Sequence, residues 1–196
     1  MAIGELKERR RERRVREILE AAMAVFAEKG YPKATMEEIA ERALLSRVAL
    51  YKYFHDKEAI LKALLEWKIE ELAERLADPG GGYAERIRAL ARAGVRFQEE
   101  NQGFFRALYT ATGLPGLLRD PDLRGQKQRL LKRVAAVVEA GQRSGEARPG
   151  DPHRLAEFFL NLLFSVTVHD FFEPDQPPAY DPEPIAEVFL RGTLRA

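Results

Sequence analysis

Three histidines, His55, His153 and His169, are the chain's only side chains of the commonest general-base type, and there is no cysteine at all. None of the three stands beside a recognisable nucleophile motif, and G-x-S-x-G, H-E-x-x-H and the dinucleotide fingerprint are all missing. His153 with Glu157, and His169 with Glu173, are spaced i, i+4, which puts two metal-ligand types on one helix face. No third ligand is identifiable, so metal binding is weighed against surface or interface pairing; His169-Asp170 likewise reads as an interface pair before a catalytic dyad. Gly80, Gly81 and Gly82 lack both the following Lys-Ser/Thr and the preceding strand of a phosphate loop, and read as a helix connector. The expectation is a chain with no catalytic residue, no metal and no cofactor.

A different chemistry is carried by 35–57, TMEEIAERALLSRVALYKYFHDK. Met36, Ile39, Ala40 and Ala43 recur at i, i+3, i+4 and i+7, the buried stripe of a two-turn helix. Thr35 followed three residues on by Glu38 is a capping box that opens it. Leu44, Leu45 and Ser46 make a short turn. Ser46 is then a good N-cap for a second helix over 47–54, with Leu50 and Phe54 inward and Arg47, Val48, Lys52 and Tyr53 outward. Two short helices across a tight turn, the second presenting basic and small residues, have the spacing of a helix-turn-helix that reads DNA.

These residues also carry a family likeness. The pattern I-A-x-x-A-x-x-S-x-x-x-L-Y-x-Y-F-x-x-K from Ile39 to Lys57, preceded by F-x-x-x-G-Y from Phe26 to Tyr31, resembles the N-terminal domain of the TetR family of one-component transcriptional repressors. The likeness covers roughly the first 65 residues, and beyond Trp67 nothing diagnostic remains. Two positions depart from it: the family usually has Gly where this chain has Leu44, and often Gly where it has Val48. A leucine held in the left-handed region costs about 1 kcal/mol, so the turn either relaxes or carries that strain. The resemblance implies phosphate contacts for Thr35, Tyr51, Tyr53 and Lys57, and base-edge positions for Arg47, Val48 and Lys52. Ser46 and Ala49 complete the expected DNA-binding set. It further implies a homodimer on a palindromic DNA operator and a small-molecule effector, while the charged N-terminus and the lack of a long apolar run lead to the expectation of a cytoplasmic protein.

Composition agrees with that division of labour. Net charge is +1 overall, but residues 1–62 hold 14 Lys and Arg against 11 Asp and Glu (net +3), leaving 18 against 20 (net −2) for the remainder. A DNA-facing end and a nearly neutral body follow. Through Arg16, seven basic residues stand against Glu5, Glu8 and Glu12. This segment reads either as a solvated helix extension or as an arm that neutralises phosphate flanking the site. No apolar run approaches the roughly 18 residues that a membrane span needs.

The elements that position these residues are all helical: an all-α fold, with a helix-turn-helix domain over 1–62 and an effector-binding and dimerisation domain over 63–196. Val15, Ile18, Leu19, Ala22 and Phe26 set the stripe of helix 1, which Gly30 caps and Pro32 stops. A long helix from Lys57 carries Leu61, Leu64, Leu65, Lys68 and Leu72 to about Leu76. A fifth helix over 83–101 turns Ile87, Leu90, Ala91, Gly94 and Phe97 inward. A sixth starts at Gly103 and breaks at Pro115-Gly116, and a seventh runs from Pro121 to about Gly145. The eighth, from Pro152, is apolar on nearly every side and must be covered on two faces, one of them by a partner subunit, with Phe159 or Leu163 as the candidates for facing that partner. A Pro-rich connector over 173–184 leads to a ninth helix with Ile185, Val188, Phe189 and Leu194. Aromatic residues concentrate in this half, so Arg96, Phe97, Phe104, Phe105, Tyr109, Phe158, Asn161 and Leu162 are the candidate effector contacts, weighed against plain packing. Their bulk leans toward a hydrophobic effector such as an acyl-CoA, fatty acid, aromatic compound or drug-like molecule. Trp67 reads as packing. A small-molecule enzyme, or an architectural DNA-binding protein without effector response, are the rival functions.

Overall fold

The computed structural model describes residues 3–111, 116, 119–172 and 181–195, without the side chains of residues 3 and 169–172. Nine helices are formed among them: α1 Ile3–Lys29, α2 Met36–Arg42, α3 Arg47–Tyr51, α4 Lys57–Arg75, α5 Tyr83–Glu100, α6 Gln102–Thr110, α7 Pro121–Ser144, α8 Pro152–Phe172 and α9 Pro182–Thr193. No helix among the described residues is long and apolar enough to cross a membrane. The break at Pro115 and most of the connector over 173–184 lie outside the described residues, as do the pairs of His169 with Asp170 and Glu173.

The chain divides into two compact units, Met1–Trp67 with Gln102–Asp120, and Lys68–Asn101 with Pro121–Ala196. In the first, Ile18, Leu19, Ala22 and Phe26 of α1 are buried together with Ile39 and Ala40 of α2, Leu50 of α3 and Ile60, Leu61 and Leu64 of α4. α6, placed by the sequence in the second domain, instead packs on α1. Gly103 makes that approach close: a Cβ there would lie 2.7 Å from the Cβ of Ala27. Trp67 is packed as expected, with the Arg16 guanidinium 5.4 Å from its ring centre.

Helix ends follow their local sequence. α1 stops at Gly30 (φ 76°), whose N–H donates to the Phe26 carbonyl at 2.9 Å, the single bond of a left-handed cap. α7 stops at Gly145 (φ 79°) with a paired version of the same cap: Glu146 N–H donates to Gly141 O at 3.0 Å and Gly145 N–H to Gln142 O at 3.2 Å.

In the second unit α5 is the central element, buried along Ile87, Leu90, Ala91, Phe97 and Gln98. Two glycines set how closely its neighbours approach. A Cβ on Gly94 would sit 2.3 Å from Leu163 of α8, and one on Gly141 of α7 would sit 2.4 Å from the Tyr83 ring. The Tyr83 hydroxyl donates to Thr193 Oγ1 at 3.0 Å, and burial raises its pKa. Phe159 of α8 and Phe189 of α9 meet edge to face at 5.2 Å. α8 therefore turns Ala156, Phe159, Leu160 and Leu163 into its own unit. This corrects the expectation that Phe159 or Leu163 faces a partner subunit. In a helix apolar all round, sequence does not fix which side turns inward; here the exposed large residues are Phe158, Val168 and, on α9, Val188.

Candidate nucleic-acid interface

The reading head is built from α2 and α3. Thr35 adopts extended backbone, its hydroxyl accepts from Glu38 N–H at 3.3 Å, and the Glu38 carboxylate accepts from Thr35 N–H at 3.1 Å, so both halves of the capping box form. Glu38 is also paired with Lys29, and these contacts hold its carboxyl below the ordinary value. The turn after α2 is a Schellman cap: Leu45 N–H donates to Ala40 O at 2.8 Å and Leu44 N–H to Glu41 O at 3.0 Å. Its left-handed position is occupied by Leu44 at φ 55°, with the side chain 91% exposed. The turn thus carries the strain instead of relaxing, and the leucine gains almost no burial in return. Leu44→Gly is expected to stabilise the protein by about 1 kcal/mol in denaturant titration, without altering the DNA-facing side chains.

Ser46 caps α3 by accepting from Ala49 N–H at 3.2 Å. The helix ends at Tyr51, three residues earlier than the apolar spacing suggests. Its last turn tightens, with Lys52 N–H donating to Ala49 O and Tyr53 N–H to Leu50 O, while Phe54 N–H still reaches Leu50 O. Leu50 and Phe54 remain buried anchors; Arg47, Val48, Tyr51 and Lys52 are exposed and Ala49 and Tyr53 half-buried. At 71% exposure Val48 is an apolar group displayed to solvent with no covering element in its own unit.

Two charged contacts at this surface escape the sequence. Arg47 lies 2.8 Å from Glu37 Oε1, and its guanidinium sits 5.6 Å from the Tyr51 ring centre. A pair this exposed is weakened by water and salt, so it holds the fork near α3 without locking it there. Lys57 behaves differently. Its ammonium donates to the carbonyls of Tyr31 (2.7 Å), Ala34 (2.9 Å) and Pro32 (3.3 Å) and lies 4.5 Å from the Tyr31 ring centre. All three of its hydrogens are engaged, and burial lowers its pKa. The side chain therefore ties the α1–α2 turn to the start of α4. At the start of α4 the Asp56 carboxylate accepts from Ala59 N–H at 2.7 Å and caps the helix.

Beside the C-terminal end of α3 lies a cleft of about 530 Å³ lined by Lys7, Arg10, Arg11, Arg13, Arg14, Lys52 and Tyr53. The basic segment before Arg16 is part of α1 and forms one wall.

The candidate effector residues divide between the two units. Phe104, Phe105 and Tyr109 belong to the first unit; Arg96, Phe97, Phe158, Asn161 and Leu162 belong to the second. Phe97, Phe104 and Phe105 are buried, whereas Arg96, Phe158 and Asn161 are exposed. Phe104 and Phe105 meet edge to face at 5.2 Å, as packing residues do. Arg96 lines a cleft of about 560 Å³ with Arg75, Ala89, Arg92, Ala93 and Glu100. The polar group the sequence reading missed is Gln98. It is fully buried; its Nε2 donates to Leu163 O at 2.9 Å and Gly94 O at 3.3 Å, and its Oε1 has no hydrogen-bond partner among the described residues. Nothing in a lone glutamine on a helix signals that. Among the described residues no group of three or more potential metal ligands occurs.

A capped helix pair across a strained turn, displaying Arg47 and Val48, defines the class: a helix-turn-helix DNA-binding transcriptional regulator. Residues 18–64 match the family described as bacterial regulatory proteins, tetR family. Over 172 residues the chain is 24% identical to the HTH-type transcriptional regulator YhgD of Bacillus subtilis (strain 168), covering 86% of this chain and 88% of that protein. Among solved structures, the TetR family transcriptional regulator PfmR from Thermus thermophilus superposes with a TM-score of 0.70 at 27% identity, covering 89% of this chain and 97% of that one. The fatty acid degradation regulator FadR from Bacillus halodurans has the same fold, with a TM-score of 0.78 at 18% identity over 90% of this chain and 94% of that one. Residues 18–64 are thus matched to the DNA-binding domain of the tetR family, and the solved structures share the fold of the whole chain.

Proposed function

We propose that the protein is a cytoplasmic, homodimeric repressor that binds a palindromic operator through residues 1–62 and is released from it by a small hydrophobic effector bound within 63–196. The observation that carries the DNA-reading half is the exposed face of α3, where Arg47 and Val48 stand free of the core on a helix held by Ser46 and Leu50. In this assignment Arg47 and Val48 meet base edges, while Thr35, Tyr51 and Tyr53 meet phosphates. Dimerisation is supported by Phe158, Val168 and Val188, apolar side chains exposed on α8 and α9.

For the effector half, Gln98 Oε1 is the buried acceptor that a ligand hydroxyl or amide would satisfy beside Phe97. α4 is the natural lever, because its start belongs to the DNA-reading unit and its end to the other. Two successive major grooves on one face are about 34–36 Å apart, so a change in the separation of two α3 helices weakens binding. A differential of about 1–3 kcal/mol between the two states gives a 5- to 150-fold change. A long-chain acyl-CoA is the first probe, followed by free fatty acids and aromatic compounds. A bound probe that leaves operator affinity unchanged at saturation refutes release by that ligand and leaves DNA reading intact.

A further inference from the structure

We infer that the first turns of α1 form a phosphate-binding wall, which with Lys52 and Tyr53 grips the DNA backbone beside the base-read half-site. This rests on the DNA-reading function above and assigns a second element to it. Lys7, Arg10, Arg11 and Arg14 fall at i, i+3, i+4 and i+7, so they share one face of α1, and that face lines the cleft. Glu5 and Glu12 fall on the opposite side, about 150° or more away at 100° per residue, and Glu8 lies at the edge between the two sides.

A merely solvated helix would mix its charges. Here the acidic side is the one supplied with i, i+4 partners of opposite charge, Glu5 with Arg9 and Glu12 with Arg16, whereas the cleft side is wholly basic. Arg13 and Arg14 both lean on Glu17, at 3.6 and 2.7 Å; Lys7, Arg10 and Arg11 have no ion-pair partner among the described residues. Three exposed, uncompensated cations facing a lysine and a tyrosine hydroxyl across a cleft repel one another until a polyanion enters. Position selects which polyanion. Lys52 caps the end of α3, so a duplex with α3 in its major groove presents the sugar-phosphate rim of that groove here. Lys52 then belongs with the phosphate-holding residues and not with the base readers.

The test compares the full-length protein with the triple variant Lys7→Ala, Arg10→Ala, Arg11→Ala. A charge-matched control carries Lys127→Ala, Arg129→Ala and Lys132→Ala on the exposed side of α7. Each is titrated by fluorescence anisotropy onto a duplex carrying the palindrome that the wild type selects from random sequence, across a salt series. Each lost phosphate contact lowers the slope of log K against log salt by about 0.9, so the triple variant loses up to about 5 per dimer while selecting the same palindrome. The control keeps the wild-type slope. Alanine preserves the helix, which circular dichroism verifies; Arg11→Ala alone, expected to lose about 2 per dimer, gives the same answer in a less altered chain. Variants whose slopes match the control overturn the proposal while leaving DNA reading in place. A wild type that binds no duplex overturns both.

Discussion

Replacing Phe158 with glutamate is expected to separate the dimer into folded monomers and to weaken operator binding by about 100-fold or more. Phe158 is 51% exposed on α8, so a charge there costs its own subunit little. Its neighbour Phe159 is fully buried against Phe189, and a charge at that position would unfold the unit and show nothing about assembly. If α8 and α9 pair across a twofold axis, the glutamate meets its own copy in an apolar contact and desolvates without a partner. Two reading heads held together gain about 10²–10⁴ in avidity over one, and this is what the monomer forfeits. Light scattering over a dilution series, together with operator titration, reads both effects. A variant that stays dimeric moves the interface elsewhere on the second unit.

Lys57→Met is expected to cost about 1.5–3 kcal/mol of stability and to leave the salt dependence of DNA binding nearly unchanged. Methionine keeps the stem and removes the ammonium, stranding the Tyr31, Pro32 and Ala34 carbonyls that it now satisfies. The lower part of that range is the better guide because the site is only partly buried. A slope that falls by about one for each Lys57 removed would instead mean that the ammonium leaves its carbonyl cage to meet phosphate, as the family pattern implies.

What sequence could and could not reveal follows the range of each interaction. Thr35 and Glu38, Ser46 and Ala49, and Gly30 are legible because cap and partner lie within four residues, where spacing alone dictates the bond. Leu44 was legible as a conflict: the turn demands a left-handed residue and the chain supplies leucine. Lys57 was not legible as a brace, since its carbonyl partners lie 23 to 26 residues away and only the closed fold brings them together. The same holds for Gln98, whose acceptor at Leu163 is 65 residues distant, and for α6, whose fit against α1 depends on Gly103 meeting Ala27. α8 failed for another reason. With apolar residues on all sides, its periodicity carries no phase, so the buried Phe159 and the exposed Phe158 could not be told apart from sequence.

In the proposed function α3 reads bases through Arg47, separably from the residues that hold phosphate. The most direct measurement is a selection from random palindromes by the wild type and by Arg47→Ala. Arg47 sits at the start of α3, where its planar fork, once released from Glu37, pairs with guanine O6 and N7. The variant is predicted to lose about 1–3 kcal/mol at the wild-type palindrome and to relax preference at one position in each half-site, with the other positions intact. An Arg47→Ala protein that selects the wild-type motif unaltered would contradict the account, because α3 would then enter the groove in a register that leaves Arg47 outside it.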